Sequence, residues 1–447
     1  MRIDSLTIRN FKGIEERVFD LPLPVGAPND SGSFHLLIGE NGSGKTTTLD
    51  ALAVALGIWH VAAPAAGWRS INPSDVRLIE HRYGDTTRFD PAPFSEIEAR
   101  GVIAGSNVTW KRMIRKGGKK TTNSGAKEAL RLVKSVTSYP APGHAATLPL
   151  LAYYGTGRAW LPAHQREAKK RPKMTKRSRF DVPFCWMDGR INDAEVNEWF
   201  MWEKLAAAEN GQERAGYVAV EQAVLSCLPE GRSLRFDVDR KELIVTMGSS
   251  SMPFYSLSDG QRVMAAMVAD LAIKSVLLNP HLGKESALRS PGVVLIDELD
   301  LHLHPKWQRH VVEDLRRTFP AIQFVATTHS PFIVQTLRPG ELVPLDGQPL
   351  VDEYGKLGIE SIAKLMGVER PDASPRYQDM VESARDYLVT LEEAALAPEE
   401  KLAAYEEALA AKRAPYADNP AFQAFLELKH EVKLGARRSG GQKSAKG

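Results

Sequence analysis

The apolar positions of the chain change their spacing along the sequence, and each spacing predicts a type of element. Residues 1–20 alternate apolar and polar side chains, as a half-buried pair of strands does. Short apolar runs predict buried strands, and apolar positions at helical spacing predict helices between them. The predicted strands are 34–38, 148–154, 234–238, 243–247, 293–296 and 322–327, with a hairpin at 96–116, and the predicted helices are 46–56, 127–136, 196–208, 260–278 and 306–319. This alternation of strands and helices indicates an α/β fold.

Changes in composition divide the chain into four predicted segments. Residues 1–155 and 233–350 carry the strand and helix patterns and are expected to form two lobes of one α/β domain. Between them, residues 156–232 become polar, basic and helical, which predicts an inserted subdomain. Residues 351–447 have apolar positions at helical spacing and end in a Gly/Ser/Lys tail that we expect to be disordered. This C-terminal helical region either packs on the preceding domain or serves partner and oligomer contacts.

Overall composition restricts the class of protein. Hydrophobic residues make up 43% of the chain and charged residues 25%, which is ordinary for a globular protein. Cys185 and Cys227 are the only cysteines, so the sequence predicts neither a disulfide framework nor a Cys-rich metal site, and a cytoplasmic location fits best. No run of 18 or more apolar residues occurs, so we expect no membrane span.

Positive charge is concentrated in two segments. The formal net charge of +3 is too small to indicate nucleic-acid binding by itself. Residues 166–179, however, contain eight Lys or Arg residues and a single Glu, a local charge of +7, and a second basic cluster lies within 111–120. Each segment is either a solvated loop or a surface for DNA, and the sequence leaves both interpretations open.

A glycine-rich turn follows the strand predicted at 34–38. Its sequence, Gly-Glu-Asn-Gly-Ser-Gly-Lys-Thr, matches a phosphate-binding loop placed between a strand and a helix. Glycines let the backbone turn so that its amides face phosphates, and the helix N-terminus adds partial positive charge. We expect the lysine to bind the β- and γ-phosphates of ATP and the threonine hydroxyl to bind Mg²⁺. The nucleotide-binding residues predicted here are Gly39, Asn41, Gly42, Ser43, Gly44, Lys45, Thr46 and Thr47.

Two carboxylates end the buried strand predicted at 293–296. Ligands of open α/β sheets bind outside the carboxyl ends of the strands, so Asp297 and Glu298 are placed to face a ligand. We predict that Asp297 holds Mg²⁺, directly or through water, and that Glu298 is a general base for the attacking water.

A histidine ends the next predicted strand. The sequence Thr327-Thr-His329-Ser330 lies one helix and one strand after Glu298, which places His329 beside the carboxylates if the crossover is right-handed. A lone histidine is more often structural, but this position predicts a contact with the γ-phosphate or the attacking water.

A polar turn precedes the helix predicted at 260–278. The sequence Leu-Ser258-Asp259-Gly260-Gln-Arg supplies a hydroxyl and a glycine at a helix N-terminus, which can cap the helix or bind an anion. It resembles the Leu-Ser-Gly-Gly-Gln signature of ABC ATPases, with Asp259 in place of the first signature glycine. The order of phosphate loop, signature, carboxylate strand and histidine is also that of ABC ATPases.

The whole pattern, which covers about residues 1–60 and 250–335, resembles the non-transporter ABC/SMC-like ATPases, including SMC and Rad50 heads and RecF. More narrowly, 258–262 together with 299–308 is similar to the PtuA-type ATPases of Septu antiphage systems. The resemblance implies an ABC-type head, with a P-loop core sheet and an antiparallel β lobe, an inserted helical subdomain and a C-terminal helical extension.

The resemblance also implies a mechanism. Two heads pair head to tail with ATP between them, and Ser258 and Gly260 of one chain complete the nucleotide site of the other. Asp300, in a stretch that resembles the family's D-loop, is implied to contact the second subunit. His302 and His304 could instead suggest a metal pair, but the D-loop resemblance already explains them. The family's Q-loop glutamine is missing after the strand predicted at 148–154, where Gly-Thr-Gly-Arg stands instead.

Two functions of different class remain open. In the first, the ATPase regulates a separate effector of antiphage defence, which the resemblance implies to be an HNH-type nuclease subunit. In the second, the chain is a RecF-like clamp that binds DNA in repair without an effector. A self-contained nuclease is disfavoured, because residues 336–447 lack the acidic constellation that a Toprim nuclease needs for its metals, and the chain lacks a Cys/His cluster of the HNH kind.

Overall fold

The computed structural model describes residues 1–24, 26–28, 31–62, 69–137, 146–158, 193–351, 353–368, 371 and 373–435. It divides into two compact units, Met1–Gly367 and Val368–Gly447. The basic segment 166–179 and the tail 439–447 lie outside the described residues.

The strands of the described residues are confined to the first unit. They are β1 (Arg2–Phe11), β2 (Ile14–Asp20), β3 (Ser33–Ile38), β4 (Leu78–Tyr83), β5 (Thr86–Pro91), β6 (Phe94–Ile103), β7 (Ser106–Arg115), β8 (Leu150–Tyr154), β9 (Gly231–Asp237), β10 (Glu242–Met247), β11 (Ser250–Pro253), β12 (Gly292–Ile296), β13 (Ile322–Thr327) and β14 (Leu342–Pro344).

The helices of the described residues occur in both units. Those of the first unit are α1 (Lys45–Leu56), α2 (Ile58–Ala62), α3 (Lys127–Thr137), α4 (Asp193–Asn210), α5 (Ala215–Ser226), α6 (Asp259–Leu278), α7 (Ser286–Arg289), α8 (Pro305–Gln308), α9 (Val311–Thr318), α10 (Pro331–Val334) and α11 (Ile359–Leu365). Those of the second unit are α12 (Pro375–Leu396), α13 (Leu402–Arg413) and α14 (Pro420–His430). None of the described helices is both long enough and apolar enough to cross a membrane.

A five-stranded parallel sheet forms the centre of the first unit. Its strand order is β14-β3-β13-β12-β8, and every pairing is parallel. All residues of β3, β12 and β13 are buried, as expected for strands covered on both faces. Because the strands are parallel, their carboxyl ends meet at one edge of the sheet, and the residues that follow them are brought together there.

A separate antiparallel sheet of order β2-β1-β6-β7 forms a second layer. Its buried face includes Trp110, whose indole Nε1 donates a hydrogen bond to the carbonyl of Ala55 on α1. Arg112, within the second basic cluster, is 1% exposed, and its guanidinium donates to the carbonyls of Val54 and Arg69. Arg112 is therefore part of the packing between this sheet and α1, and neither a solvated loop nor a DNA surface accounts for it.

The long helix α6 is fixed to the parallel sheet by a partly buried polar cluster. The Tyr154 hydroxyl at the end of β8 donates to a carboxylate oxygen of Asp270 at 2.5 Å, and Lys274 donates to the same oxygen at 2.5 Å. Burial and the Asp270 charge raise the pKa of Tyr154. A hydrogen bond to a charged group contributes more than one between neutral groups, so this cluster orients α6 against β8.

The second unit has a small core of its own. Tyr387 and Leu391 of α12 are almost fully buried, together with Leu409 of α13 and Leu426 of α14. Apolar positions of α12, α13 and α14 therefore share one packed core, whereas Phe425, also predicted from helical spacing, is exposed.

The predicted α/β class, with a P-loop sheet and an antiparallel β lobe, is confirmed. The helix predicted at 306–319 is two helices, α8 and α9, because the helical pattern is interrupted at Arg309 and His310. The elements outside the sequence expectation are the strands β4, β5, β11 and β14 and the short helices α2, α7 and α10.

Candidate functional site

The glycine-rich turn between β3 and α1 has the backbone of a loop that wraps around an anion. Gly42 and Gly44 have φ angles of 85° and 97°, a region that side chains with a Cβ rarely adopt. α1 begins at Lys45, immediately after the turn, so the free amides of its first turn point into the loop. Ser43 Oγ is buried and forms no hydrogen bond with the described residues, which leaves one polar group available to a ligand.

Lys45 lies inside this loop. The side chain is 8% exposed, and its Nζ donates to the carbonyls of Gly39 at 2.7 Å and Glu40 at 2.8 Å. Burial lowers the pKa of Lys45, while the carboxylates of Asp346 and Asp297 act in the opposite direction. The Lys45 ammonium thus donates to neutral carbonyl groups inside the loop, and a phosphate bound in the loop could replace them as its acceptor.

Asp297 joins the phosphate loop to two neighbouring strands. Its carboxylate accepts hydrogen bonds from Thr46 Oγ1 at 2.9 Å and from Thr327 Oγ1 at 2.6 Å, and the residue is 4% exposed. The pair expected to hold Mg²⁺ is therefore adjacent. No group of three or more His, Cys, Asp or Glu residues that could hold a metal occurs in the described part of the chain. Mg²⁺ commonly uses one or two protein groups plus substrate phosphates, so Thr46 and Asp297 fit it.

Glu298 follows Asp297 in a left-handed backbone conformation. Its φ angle is 49°, and its amide donates to Thr327 Oγ1 at 2.7 Å. A non-glycine residue in this region costs about 1–3 kcal/mol and persists where surrounding contacts fix it. The Glu298 side chain is half-buried and directly follows Asp297 at the carboxyl end of β12.

His329 and Asp300 are neighbours within this chain. The Asp300 carboxylate accepts hydrogen bonds from the Thr328 hydroxyl and from the His329 amide, the latter at 3.2 Å. The His329 side chain is exposed, while its backbone amide is fixed by Asp300. Asp300 therefore has an intramolecular role in addition to the inter-subunit contact predicted for it.

The turn at Ser258 caps its own helix. Ser258 is exposed, and its amide donates to Gln261 Oε1 at 3.2 Å across the first turn of α6. Gly260 lies against the backbone of residues 302 and 303, because a Cβ placed on it would be 2.5 Å from the carbonyl oxygen of His302. His302 itself has a φ angle of 64°. The signature glycine is thus needed for close packing inside one chain, whatever it contacts in another.

Asn41 and Thr47, also predicted to bind nucleotide, lie in the loop and the first turn of α1; Asn41 is exposed and Thr47 half-buried. At the end of β8, Thr156 is exposed, and it is one of two residues that could replace the missing Q-loop glutamine. The nearest glutamine, Gln165, lies outside the described residues.

Two residues of the loop's surroundings were not predicted. Asp346, just after β14, accepts a hydrogen bond from the Glu40 amide at 2.7 Å. Arg17 of β2 donates to the carbonyl of Ser43 at 2.9 Å. Asp346 carries a weak sequence signal, since it follows an apolar run as Asp297 does, but Arg17 carries none.

Two family models match the chain. One, described as an AAA domain, putative AbiEii toxin, Type IV TA system, matches residues 230–335, and a second, described as an AAA domain, matches residues 5–210.

Curated proteins that are similar in sequence to the chain include two retron ATPases and a Septu protein. The Retron Vc95 probable ATPase of Vibrio cholerae serotype O1 biovar El Tor is 36% identical over 29% of this chain and 26% of its own length. The Retron Ec83 probable ATPase of Escherichia coli is 25% identical over 75% of this chain and 70% of its own. Septu protein PtuA of Bacillus mycoides (strain KBAB4) is 25% identical over 77% of this chain and 40% of its own. The chain thus spans about a quarter of the first relative and less than half of the third.

Among solved structures, the Smc head bound to the C-winged helix domain of ScpA aligns with 77% of this chain and 94% of its own, with a TM-score of 0.45 and 15% identity. The relatives and the two AAA-domain matches agree with the resemblance inferred from the motifs: the chain is similar to AAA domains, to probable ATPases of retrons and to Septu protein PtuA.

Proposed function

We propose that this chain is an ATP-hydrolysing switch of bacterial antiphage defence, which pairs head to tail on ATP and regulates a separate nuclease. The observation that carries the ATPase part is the convergence of four groups at one edge of the parallel sheet. Lys45 follows β3, Asp297 and Glu298 follow β12, and His329 follows β13, and hydrogen bonds of Asp297 join α1 to β13.

To bind a nucleotide, the Lys45 ammonium must exchange its present hydrogen-bond acceptors for phosphate oxygens. The ammonium now donates to two loop carbonyls, and phosphate oxygens are stronger acceptors because they carry charge. Loop amides and the Ser43 hydroxyl would bind the same phosphates. Thr46 and Asp297 would hold Mg²⁺, which neutralises phosphate charge when bound.

Hydrolysis requires an oriented water and a means of accepting its proton. Glu298 is the candidate base, since it follows β12 at the edge of the sheet where the phosphates would lie. His329, exposed at the end of the neighbouring strand, would hydrogen-bond the γ-phosphate or the water. Loss of that phosphate would remove these contacts, so that turnover resets the switch.

Pairing on ATP is proposed from the exposure of the Ser258 turn. A helix N-terminus with an exposed hydroxyl is an anion-binding site that could accept the phosphates of ATP bound to a second molecule. ATP bound in the Lys45 loop of one chain and capped by Ser258 of its mate would stabilise the pair by mass action. The defence role and the HNH-type nuclease partner are proposed from the likeness to Septu protein PtuA and the retron ATPases.

The nucleotide site is tested by two substitutions with matched controls. Lys45→Ala should abolish ATP binding, whereas Lys364→Ala, at an exposed position of α11, should not. Glu298→Gln should bind ATP, accumulate dimers and lose at least about 100-fold in turnover, while the exposed Glu360→Gln serves as control. Full turnover by Glu298→Gln would remove Glu298 as the base.

The shared site is tested by mixing two inactive variants. In a head-to-tail pair, a Lys45→Ala chain and a Ser258→Arg chain together contain one intact site. Up to roughly a quarter of wild-type activity should return, because half of the randomly formed pairs would hold that site. A mixture as inactive as its components would refute a site shared between chains.

The effector is tested by copurification with the products of neighbouring genes. A bound nuclease whose cutting depends on ATP would support the proposal. Binding to DNA alone, lost when the charges of 166–179 are neutralised and weakened steeply by salt, would instead favour a clamp without an effector.

A further inference from the structure

Gln308 connects two loops that the proposed mechanism uses. We call residues 300–304 the D-loop and residues 328–330 the switch loop. Gln308 is the last residue of α8, which follows the D-loop, and it is half-buried. None of the motif roles described above involves it.

Both ends of the Gln308 amide are occupied. Its Nε2 donates to the carbonyl of Leu303 in the D-loop at 2.8 Å, and its Oε1 accepts from the hydroxyl of Ser330 in the switch loop at 2.7 Å. Ser330 is 5% exposed, and its amide donates to Thr328 Oγ1 at 3.0 Å. A single side chain therefore joins the C-terminal part of the D-loop to the C-terminal end of the switch loop.

Asp300 joins the N-terminal ends of the same two loops. Its carboxylate accepts from the Thr328 hydroxyl and the His329 amide. His329 thus lies between two fixed points, one made by Asp300 and one by Gln308 through Ser330. The D-loop in turn packs on Gly260 through the His302 carbonyl.

We propose that Gln308 is a positioning residue for ATP turnover, which holds His329 and the D-loop in the arrangement needed for hydrolysis. The inference rests on the function proposed above. Gln308 acts through these two loops, and the nucleotide is held by the Lys45 loop. Loss of Gln308 should therefore lower the rate of the chemical step and leave nucleotide affinity nearly unchanged.

Three variants separate this role from a structural one. Gln308→Met keeps the length of the side chain and removes both hydrogen bonds, whereas Gln308→Glu keeps the acceptor for Ser330 and removes the donor to Leu303. Lys306→Met, at an exposed position of the same helix, is the control. Turnover, KM and nucleotide affinity are measured for each full-length protein.

Gln308→Met should lower kcat roughly tenfold or more, as expected for two lost hydrogen bonds, with KM within about twofold of wild type. Gln308→Glu should recover about half of the loss on a logarithmic scale, and the control should match wild type. An unchanged kcat, or a loss confined to KM and nucleotide affinity, would overturn the positioning role. A wild-type protein that hydrolyses no ATP would instead refute the proposed function.

The coupling itself is tested by combining Gln308→Met with Ser330→Ala. If the two side chains act through their shared hydrogen bond, the double variant should lose clearly less kcat than the product of the single losses. Independent, multiplicative losses would show that Gln308 does not act through the switch loop.

Discussion

Replacing Gly260 by alanine distinguishes packing within one chain from contact with a second chain. The new methyl group would stand 2.5 Å from the His302 carbonyl oxygen, whereas ordinary contact begins at about 3.4 Å. Either α6 or the D-loop backbone must then move by about 0.9 Å. The carbonyl belongs to a residue already held at a φ angle of 64°, so little free adjustment is available.

The expected change in the free energy of unfolding of Gly260→Ala is the difference between two opposing effects. Overpacking of this kind costs typically about 1–3 kcal/mol. Alanine in the first turn of a helix recovers at most about 1 kcal/mol over glycine. A central overpacking cost of about 2 kcal/mol, less a recovery of up to about 1 kcal/mol, leaves a net destabilisation of about 1–2 kcal/mol in the absence of nucleotide. For the unit Met1–Gly367, at an unfolding entropy of about 2.1 cal/mol/K per residue, this corresponds to a fall in Tm of roughly 1–3 °C.

Thermal unfolding of the nucleotide-free protein measures this effect. Gly358→Ala is the matched control, since Gly358 precedes a helix, has a φ angle of −68° and has open space where a Cβ would be placed. If Gly260→Ala unfolds at the temperature of wild type and of the control, the close approach to His302 is unimportant. The glycine would then be required only for a contact with the second chain.

Three further predictions concern the surroundings of the site and the core. Asp346→Ala removes the acceptor of the Glu40 amide and should weaken ATP binding about threefold to tenfold. Asp346→Asn should not weaken it, because asparagine keeps an oxygen acceptor and removes a negative charge. Equal losses of affinity for the two variants, measured by calorimetry, would contradict this. Burial lowers the pKa of His35 to about 4 from 6.5, so the unfolded chain binds a proton in this range that the folded chain does not. The free energy of unfolding should then fall by roughly 3 kcal/mol as pH is lowered through that window, and His35→Leu should remove the loss; identical acid profiles would refute it. Tyr154→Phe should lower the free energy of unfolding by about 1.5–3 kcal/mol in a denaturant titration, since Asp270 loses a buried donor, and an unchanged midpoint would assign that bond no stabilising role.

The local parts of the site could be predicted from sequence because each is a strand followed directly by a polar turn. Lys45 and Asp297 belong to such segments, and β3 and β12 place them at one edge of the sheet. Asp346 could not be assigned in the same way, because its partner, the Glu40 amide, lies 306 residues away along the chain. Its proximity depends on the pairing of β14 with β3, which no local pattern specifies.

Gly260 and Gln308 illustrate a second reason why parts of the site could not be predicted from the sequence: their contacts depend on how loops are arranged in three dimensions. The helix N-terminus at Gly260 predicts an anion seat, but its packing on His302 depends on where the D-loop lies in three dimensions. The pair formed by Gln308 and Ser330 likewise depends on how α8 meets the switch loop. The β4–β5 hairpin escaped prediction because all but two of its strand residues are exposed, and an alternating apolar pattern requires one buried face.

The position of β3 in its sheet also has a consequence for synthesis of the chain. The strand ends at Ile38, yet its neighbours β13 and β14 begin only at Ile322 and Leu342. At about 5–20 residues per second, a ribosome needs roughly 15–60 s to produce the missing partners. During that interval an apolar strand has no sheet to join, so we expect nascent chains to need protection by a chaperone.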